Sequence, residues 1–253
     1  MIMENRKFPA FDIHSHLNHG AVGEIHNPLE DTSVEFLTSE ARRFNVFGTA
    51  YSTYASVLGA GGDIVAENEY LFDLAQENKE VYQWVVVHPD IKKTFEQAER
   101  MLEGDKVLGI KLHPPMHKYR LADRGEELFS FADRLGATVL VHPSAVEVEK
   151  ALADKYANVR LIIAHLGSEG HINAVKNSLN GNIYTDTSGY LSGLNRIVEV
   201  AVERIGSEKI LFGTDTYAHA FQYSRIALAD ISESDKENIF HRNAARMFDK
   251  IKL

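Results

Sequence analysis

Cysteine is absent from this chain of 253 residues, which removes disulfides, thiolate metal sites and a cysteine nucleophile together. Long apolar stretches are missing as well: no run approaches the roughly 20 residues that a membrane-spanning helix needs. The opening segment Met1-Ile2-Met3-Glu4-Asn5-Arg6-Lys7 lacks the apolar core of a signal peptide, so a cytoplasmic protein with no membrane partner is expected. An excess of positive charge is lacking too. Lys and Arg number 27 against 36 Asp and Glu, a formal charge of −9, and phosphate backbones are bound by basic side chains, so no nucleic-acid partner is expected. No repeat, linker or low-complexity tract divides the chain, and a single domain over residues 1–253 is expected.

Against those absences stand 44% hydrophobic residues, enough for a real core, and twelve histidines. Short apolar runs recur. They end at His16, at Ala50 (from Asn45), at His88 (from Trp84) and at His113 (from Gly109). Four more end at His142 (from Thr138), His165 (from Leu161), Asp186 (from Asn182) and Asp215 (from Ile210). Most are continuously apolar, as strands covered on both faces are. Amphipathic helical patterns fill the gaps. Ile91, Phe95, Ala98 and Leu102 form a stripe behind Asp90 as N-cap, and Ser144 with Glu147 reads as a capping box. Ser168 opens a helix that Gly181 stops, Gly206 closes the one through Ile197 and Ala201, and Ser234 with Glu237 reads as a second capping box. This alternation implies a parallel sheet, and eight strands favour closure into a (β/α)8 TIM barrel over an open doubly wound sheet.

In such a barrel the chemistry collects at the C-terminal strand ends. Two histidines at i and i+2 share a face only on a strand, so Asp12-Ile13-His14-Ser15-His16 offers two nitrogen ligands together, with Asp12 on the same face as support. Lys111 and His113 end the fourth run, His142 the fifth, His165 the sixth and Asp215 the eighth. One strand-end histidine is ordinarily structural. Four histidines and an aspartate converging on one rim form the imidazole-and-carboxylate set that Zn²⁺ accepts, with room for water. Gly59-Ala60-Gly61-Gly62 lacks the Gly-Lys-Ser/Thr ending of a phosphate cradle and reads as an ordinary loop.

The segments Asp12-Ile-His-Ser-His16, Gly109-Ile-Lys-Leu-His-Pro114, Val141-His-Pro143, Ile163-Ala-His-Leu-Gly167 and Leu211-Phe-Gly-Thr-Asp215 occur in that order over nearly the full length. With the tail Ile239-Phe-His-Arg-Asn-Ala-Ala-Arg-Met-Phe248, they resemble the amidohydrolase superfamily, in the branch that includes aminocarboxymuconate-semialdehyde decarboxylase. The resemblance implies His14, His16 and Asp215 as metal ligands and His142 as a ligand from the fifth strand. His165 then either binds a second metal or polarises the attacking water. One Zn²⁺ or Mn²⁺ ion is expected rather than two.

On that basis the expected activity is hydrolysis of a small amide, lactone or related carboxylated substrate by a metal-activated water, whose proton Asp215 takes and returns. Lys111 shares a strand face with His113. It is either carbamylated and bridges two metals, as in dihydroorotase-like members, or a free catalytic ammonium facing the pocket that grips a substrate carboxylate. The free ammonium is expected. His113 and His219 join it as substrate-binding candidates, alongside His19, His26, His117, Tyr119, Arg120 and Tyr217 in loops of the same face. A non-oxidative decarboxylase is the alternative, disfavoured because such relatives are usually longer, and a non-catalytic binding paralogue is a third reading. Barrels of this kind often dimerise, so a homodimer is a further expectation.

Overall fold

The computed structural model of the chain describes residues 8–19, 31–58 and 63–252; His26 and the loop at 59–62 lie outside these. Eight parallel strands follow one another in chain order: β1 (Ala10–Leu17), β2 (Val46–Thr53), β3 (Val81–Val86), β4 (Val107–Leu112), β5 (Thr138–Val141), β6 (Arg160–Ile163), β7 (Ile183–Asp186) and β8 (Ile210–Leu211). The residues just after β8 return to β1: Ile13 N donates to Phe212 O at 2.8 Å, and Asp215 N donates to His14 O at 2.7 Å. Those bonds close the sheet. The (β/α)8 barrel is the fold, and the open sheet is not.

Helices α1 (Val34–Arg43), α2 (Tyr54–Val57) and α3 (Ile64–Glu77) accompany the first strands. They are followed by α4 (Lys92–Met101), α5 (Leu121–Leu135), α6 (Val146–Lys155), α7 (Glu169–Lys176), α8 (Ile197–Ile205) and α9 (His219–Ala227). The tail adds α10 (Glu233–Glu237), a π-helical turn (Asn238–Arg242) and α11 (Asn243–Met247). Among the described residues no helix is long and apolar enough to cross a membrane.

Because the strands are covered on both sides, their residues serve two cores. Phe11, Ile13, Ala50, Trp84, Leu140, Ile162 and Leu211 form one buried cluster drawn from strands on all sides of the barrel, which only its interior allows. Met247 and Phe248 join that cluster. Trp84 crosses the interior to donate its indole N–H to Ile13 O at 2.7 Å. Gly109 is glycine because a Cβ there would lie 2.2 Å from Thr138 O on the neighbouring strand and 2.6 Å from the Trp84 ring. The alternate residues Ile110, Leu112, Val139, Val141, Leu161 and Ile163 pack outward against Phe129, Leu152 and Val175 of the helices. Each fully buried side chain of this size contributes on the order of 1.5–3 kcal/mol, so the two cores together set the strand order.

Several helix starts differ from the sequence reading. Ile91, not Asp90, is the N-cap of α4, and the Asp90 side chain pairs with Arg124 instead. Ser144 is paired with Glu149, which accepts from Ser144 N at 2.7 Å, and α6 begins one residue later than expected, with Ala145 as its N-cap. The tail's capping box is Ser232 with Asp235, two residues before the expected pair. Ser168 caps α7 as expected, but α7 ends at Lys176, and Gly181 serves a later turn with φ +63°. The eighth run stops as a strand at Leu211, and Asp215 and Thr216 take left-handed φ angles of 57° and 64°. Such conformations cost roughly 1–3 kcal/mol each in non-glycine residues and gather where a site demands them.

Candidate active site

The site begins with an irregularity in β1. Its register against β2 shifts between Asp12 and Ser15, so Asp12 no longer shares a regular pleat with the two histidines. The Asp12 carboxylate instead ties the barrel's seam together, accepting from His14 N (3.1 Å), Thr214 N (3.0 Å) and Thr214 Oγ1 (2.6 Å). Burial pushes this carboxyl up to about 7. The expected support behind the histidine rings therefore comes from elsewhere. Asp186, at the end of β7, places Oδ2 3.0 Å from His14 Nδ1 and is fully buried. Burial alone would raise its pKa, yet the His14 ring beside it holds it below the usual carboxylate range.

Two ring nitrogens are thus engaged from behind. His14 Nδ1 meets Asp186, and His16 Nδ1 lies 3.2 Å from the carbonyl oxygen of Ser52. Asp186 only accepts, so His14 donates from Nδ1 and leaves Nε2 bare, whereas His16 Nδ1 also has the Ser52 hydroxyl at 3.0 Å and its Nε2 is free to carry the hydrogen. The Nε2 atoms of both rings face the same carboxylate oxygen: Asp215 Oδ1 lies 3.7 Å from His14 Nε2 and 3.2 Å from His16 Nε2. His165 approaches from the other side, with Nδ1 4.0 Å from Asp215 Oδ2. Its backbone is left-handed at φ 64°, which turns the ring into the site from a position just beyond β6. Thr216 Oγ1 completes the seam by pairing with His16 N and His16 O, both at 2.8 Å.

His14, His165 and Asp215 present donor atoms all within 4.8 Å of one another, a group able to hold a metal ion. His16 adjoins it through Asp215, and His142 through His165 Nε2, which lies 3.2 Å from His142 Nδ1. Burial lowers the His14 and His142 imidazoles to about 3, and lowers His16 as well, so these rings are neutral at physiological pH. Asp215 is held far below the ordinary carboxylate range: burial opposes this, but the His16 hydrogen bond and the neighbouring imidazoles outweigh it. The bare Nε2 of His14 and the ionised oxygen of Asp215 are acceptors turned toward one another. A divalent cation satisfies that arrangement, and the residues fit one.

Lys111 ends β4 inside the barrel wall, fully buried, with Nζ 2.7 Å from His14 Nε2. Burial lowers its ammonium to about 8, with Asp215 and Asp186 partly restoring it. The expected open position facing the pocket is not where the structure puts it, because the His14 ring occupies the end of its side chain. Above the cluster lies a cavity of about 440 Å³ whose walls include His16, Tyr54, His113, His142, Asp215 and Tyr217. His113 and His142 stack there, with ring centroids 4.1 Å apart and planes at 12°.

The other loop candidates are placed differently. His219 stacks on Phe44 and points Nε2 at Asp12 from 3.9 Å; it belongs to the packing outside the seam and does not line the cavity. His117 Nε2 donates to Ser56 O at 2.8 Å, His19 stacks on Tyr70, Tyr119 packs beside His88, and Arg120 faces solvent beside Asp123. Of these loop residues, Tyr217 reaches the cavity. The sequence reading left Asp186 undecided and passed over Ser188 and Gly189. A strand-end position like those of the other runs was the available signal for Asp186. A Cβ on Gly189, whose φ is +75°, would lie 2.6 Å from His165 Nδ1, so glycine is required for the ring to sit there.

Residues 11–250 match the family model described as Amidohydrolase, and the chain belongs to that family of enzymes. No curated protein matches it. Among solved structures, 2,6-dihydroxybenzoate decarboxylase from Rhizobium is similar with a TM-score of 0.75 at 14% identity, covering 96% of this chain and 99% of the other. Dihydroxybenzoic acid decarboxylase from Polaromonas sp. JS666, with bound manganese and 2-nitroresorcinol, gives 0.74 at 16% identity, covering 97% and 98%. The 5-carboxyvanillate decarboxylase from Novosphingobium aromaticivorans DSM 12444, complexed with manganese and 4-hydroxy-3-methoxy-5-nitrobenzoic acid, gives 0.76 at 12% identity, covering 97% of each chain. At such identities the likeness is one of fold.

These neighbours correct the expected hydrolysis of an amide or lactone by metal-activated water. They are decarboxylases, and the match spans 97–99% of their chains, which removes the length argument that disfavoured that alternative. Histidine and aspartate side chains suit either reaction, so the strand-end pattern alone had no power to separate them.

Proposed function

We propose that this member of the amidohydrolase family is a metal-dependent, non-oxidative decarboxylase acting on a small carboxylated aromatic compound. The observation that carries the reading is the position of Asp215. Its ionised carboxylate lies on the wall of a cavity sized for a single ring, between His16 and His165 and below the stacked His113–His142 pair. Tyr54 and Tyr217 add further flat walls. Similar structures that hold aromatic acids or their nitro analogues support the substrate class.

His14, His16 and Asp215 would hold one divalent ion, Mn²⁺ or Zn²⁺, with His142 or His165 completing the set. Once bound, such an ion supplies a Lewis acid that neutralises anionic oxygens of the substrate and draws electron density from the ring. The chain's own residues do the rest. His113 and His142, both neutral, orient the ring by stacking and hydrogen bonding. Asp215 takes the acidic proton that the substrate brings in and returns it to the carbon that bears the carboxylate. As that carbon–hydrogen bond forms, the bond to the carboxylate breaks, its electron pair restores the ring, and CO₂ leaves. One proton enters the ring for each CO₂ lost. Lys111, unmodified and charged below about pH 8, balances the carboxylates around it.

The test is a panel of hydroxylated and methoxylated benzoates, among them 2,6-dihydroxybenzoate and 5-carboxyvanillate, incubated with Mn²⁺-loaded and Zn²⁺-loaded protein while CO₂ and the decarboxylated ring are measured. Release of CO₂ in equal amount to ring product is expected. Turnover of lactones or amides from a parallel panel, with no CO₂ from any carboxylate, would overturn the reading.

A further inference from the structure

Behind the imidazoles the short segment Asp186–Gly189 is held from several sides. Ser192 Oγ donates among the carbonyls of Thr187 (2.6 Å), Ser188 (2.8 Å) and Gly189 (2.9 Å). Arg225 donates to Thr187 O at 2.7 Å and Gln222 to Gly189 O at 3.2 Å. At its centre Ser188, fully buried, places Oγ 2.9 Å from His14 Nδ1, 2.9 Å from His165 Nδ1 and 2.5 Å from Asp186 Oδ1.

A hydroxyl has one hydrogen to give, and the neighbours decide where it goes. Asp186 Oδ1 already accepts from His165 N (3.0 Å) and Ser188 N (2.9 Å), so that oxygen is an acceptor and receives the Ser188 hydrogen. Toward both rings Ser188 Oγ then has only lone pairs to offer. His14 loses nothing by this, since Asp186 Oδ2 also accepts from its Nδ1. For His165 it is decisive. The atoms in hydrogen-bond range of its Nδ1 are Ser188 Oγ and, at 3.3 Å, Ser188 O, both acceptors, so the ring hydrogen sits on Nδ1. Its Nε2 is left bare and faces His142 Nδ1 at 3.2 Å, which must then carry a hydrogen in turn. His142 Nε2 is left without one.

We infer that Ser188 is a positioning residue that sets the tautomers of two imidazoles, His165 directly and His142 through it, so that both keep their hydrogen on Nδ1. A buried hydroxyl on a held loop thereby decides that the lone pair of these two rings left free for a cation or a substrate is the one on His142 Nε2, since His165 Nε2 is engaged by His142 Nδ1–H. The inference rests on the proposed site only in giving that lone pair a use; the tautomers themselves are a property of the chain.

Long-range ¹⁵N–¹H correlation spectra of histidine-labelled protein read the tautomers directly, in the Zn²⁺-loaded and the metal-free state at neutral pH. The wild type should show Nδ1–H for His14, His142 and His165. Ser188→Ala should shift His165 to a mixture of tautomers and carry His142 with it, while His14 stays unchanged on Asp186. Ser188→Thr, which keeps the hydroxyl, should restore the wild-type pattern. An Nε2–H signal for His165 in the wild type would overturn the inference without any variant, as would a folded Ser188→Ala protein whose His165 and His142 signals do not move. A wild type that shows the expected tautomers yet binds no Zn²⁺ would instead remove the metal-site reading and leave this one standing.

Discussion

His14 Nδ1 lies 3.0 Å from Asp186 Oδ2, a contact between residues 172 apart in the chain that joins the end of β1 to the end of β7. It orients the ring, keeps the hydrogen on Nδ1 and turns Nε2 toward Asp215. Outer partners of this kind raise the basicity of a metal-binding imidazole as well as aiming it.

Asp186→Asn should therefore weaken metal binding by about 10–100-fold, the usual range for the loss of a carboxylate behind a metal-binding histidine. Competition with a chelating dye measures it. An unchanged affinity would leave the carboxylate with a purely structural part.

Asp215→Asn keeps the shape of the side chain but cannot take up and return a proton near neutrality. At saturating metal, decarboxylation per bound ion should fall about 10²–10⁴-fold. His16→Ala should differ in kind, losing metal first and turnover as a consequence. A fully metallated Asp215→Asn protein within a few-fold of wild type would take Asp215 out of the proton transfer.

Lys111 is charged below about pH 8 and neutral above it. With the ammonium needed to balance the site, turnover should decline as pH rises through that value. Lys111→Met should bind its full complement of metal, turn over slowly, and lack that alkaline limb. Loss of metal from the variant would point instead to a modified lysine acting as a ligand. The pH–rate profiles of the two proteins decide it.

Burial holds the His219 imidazole down to about 4, against an ordinary value of 6.5, and its Nε2 has no hydrogen-bond partner. The unfolded chain takes up a proton near pH 6.5 while the folded one resists until about 4, so this group costs stability as pH falls through that window. His219→Phe should remove about 3 kcal/mol of acid sensitivity between those limits, read from urea unfolding at a series of pH values. KM should not change, because the ring packs on Phe44 away from the cavity. A raised KM would return His219 to the substrate.

By itself the sequence determined the elements and the rim. Continuous apolar runs can be covered on both faces only as barrel or open-sheet strands, and their ends are local facts, so His14, His16, Lys111, His113, His142 and His165 were all legible as strand-end residues. Strand alternation also put His14 and His16 together without reference to the rest of the chain. Tertiary structure decided what each of them touches. The slip in β1 took Asp12 off the histidine face and gave that place to Asp186, a substitution no local pattern contains because it depends on the register between β1 and β2. Closure brought Asp215 N to His14 O and set the left-handed turns at His165, Asp215 and Thr216, whose strain is repaid only by contacts formed once the barrel is complete. Lys111 was legible as inward-pointing, but its enclosure behind His14 depends on the packing of a wall built from opposite sides of the sheet. The reaction itself lay beyond the sequence for a chemical reason: histidine and aspartate side chains suit hydrolysis and decarboxylation alike, and a strand-end pattern names the side chains of a rim without naming the substrate they meet.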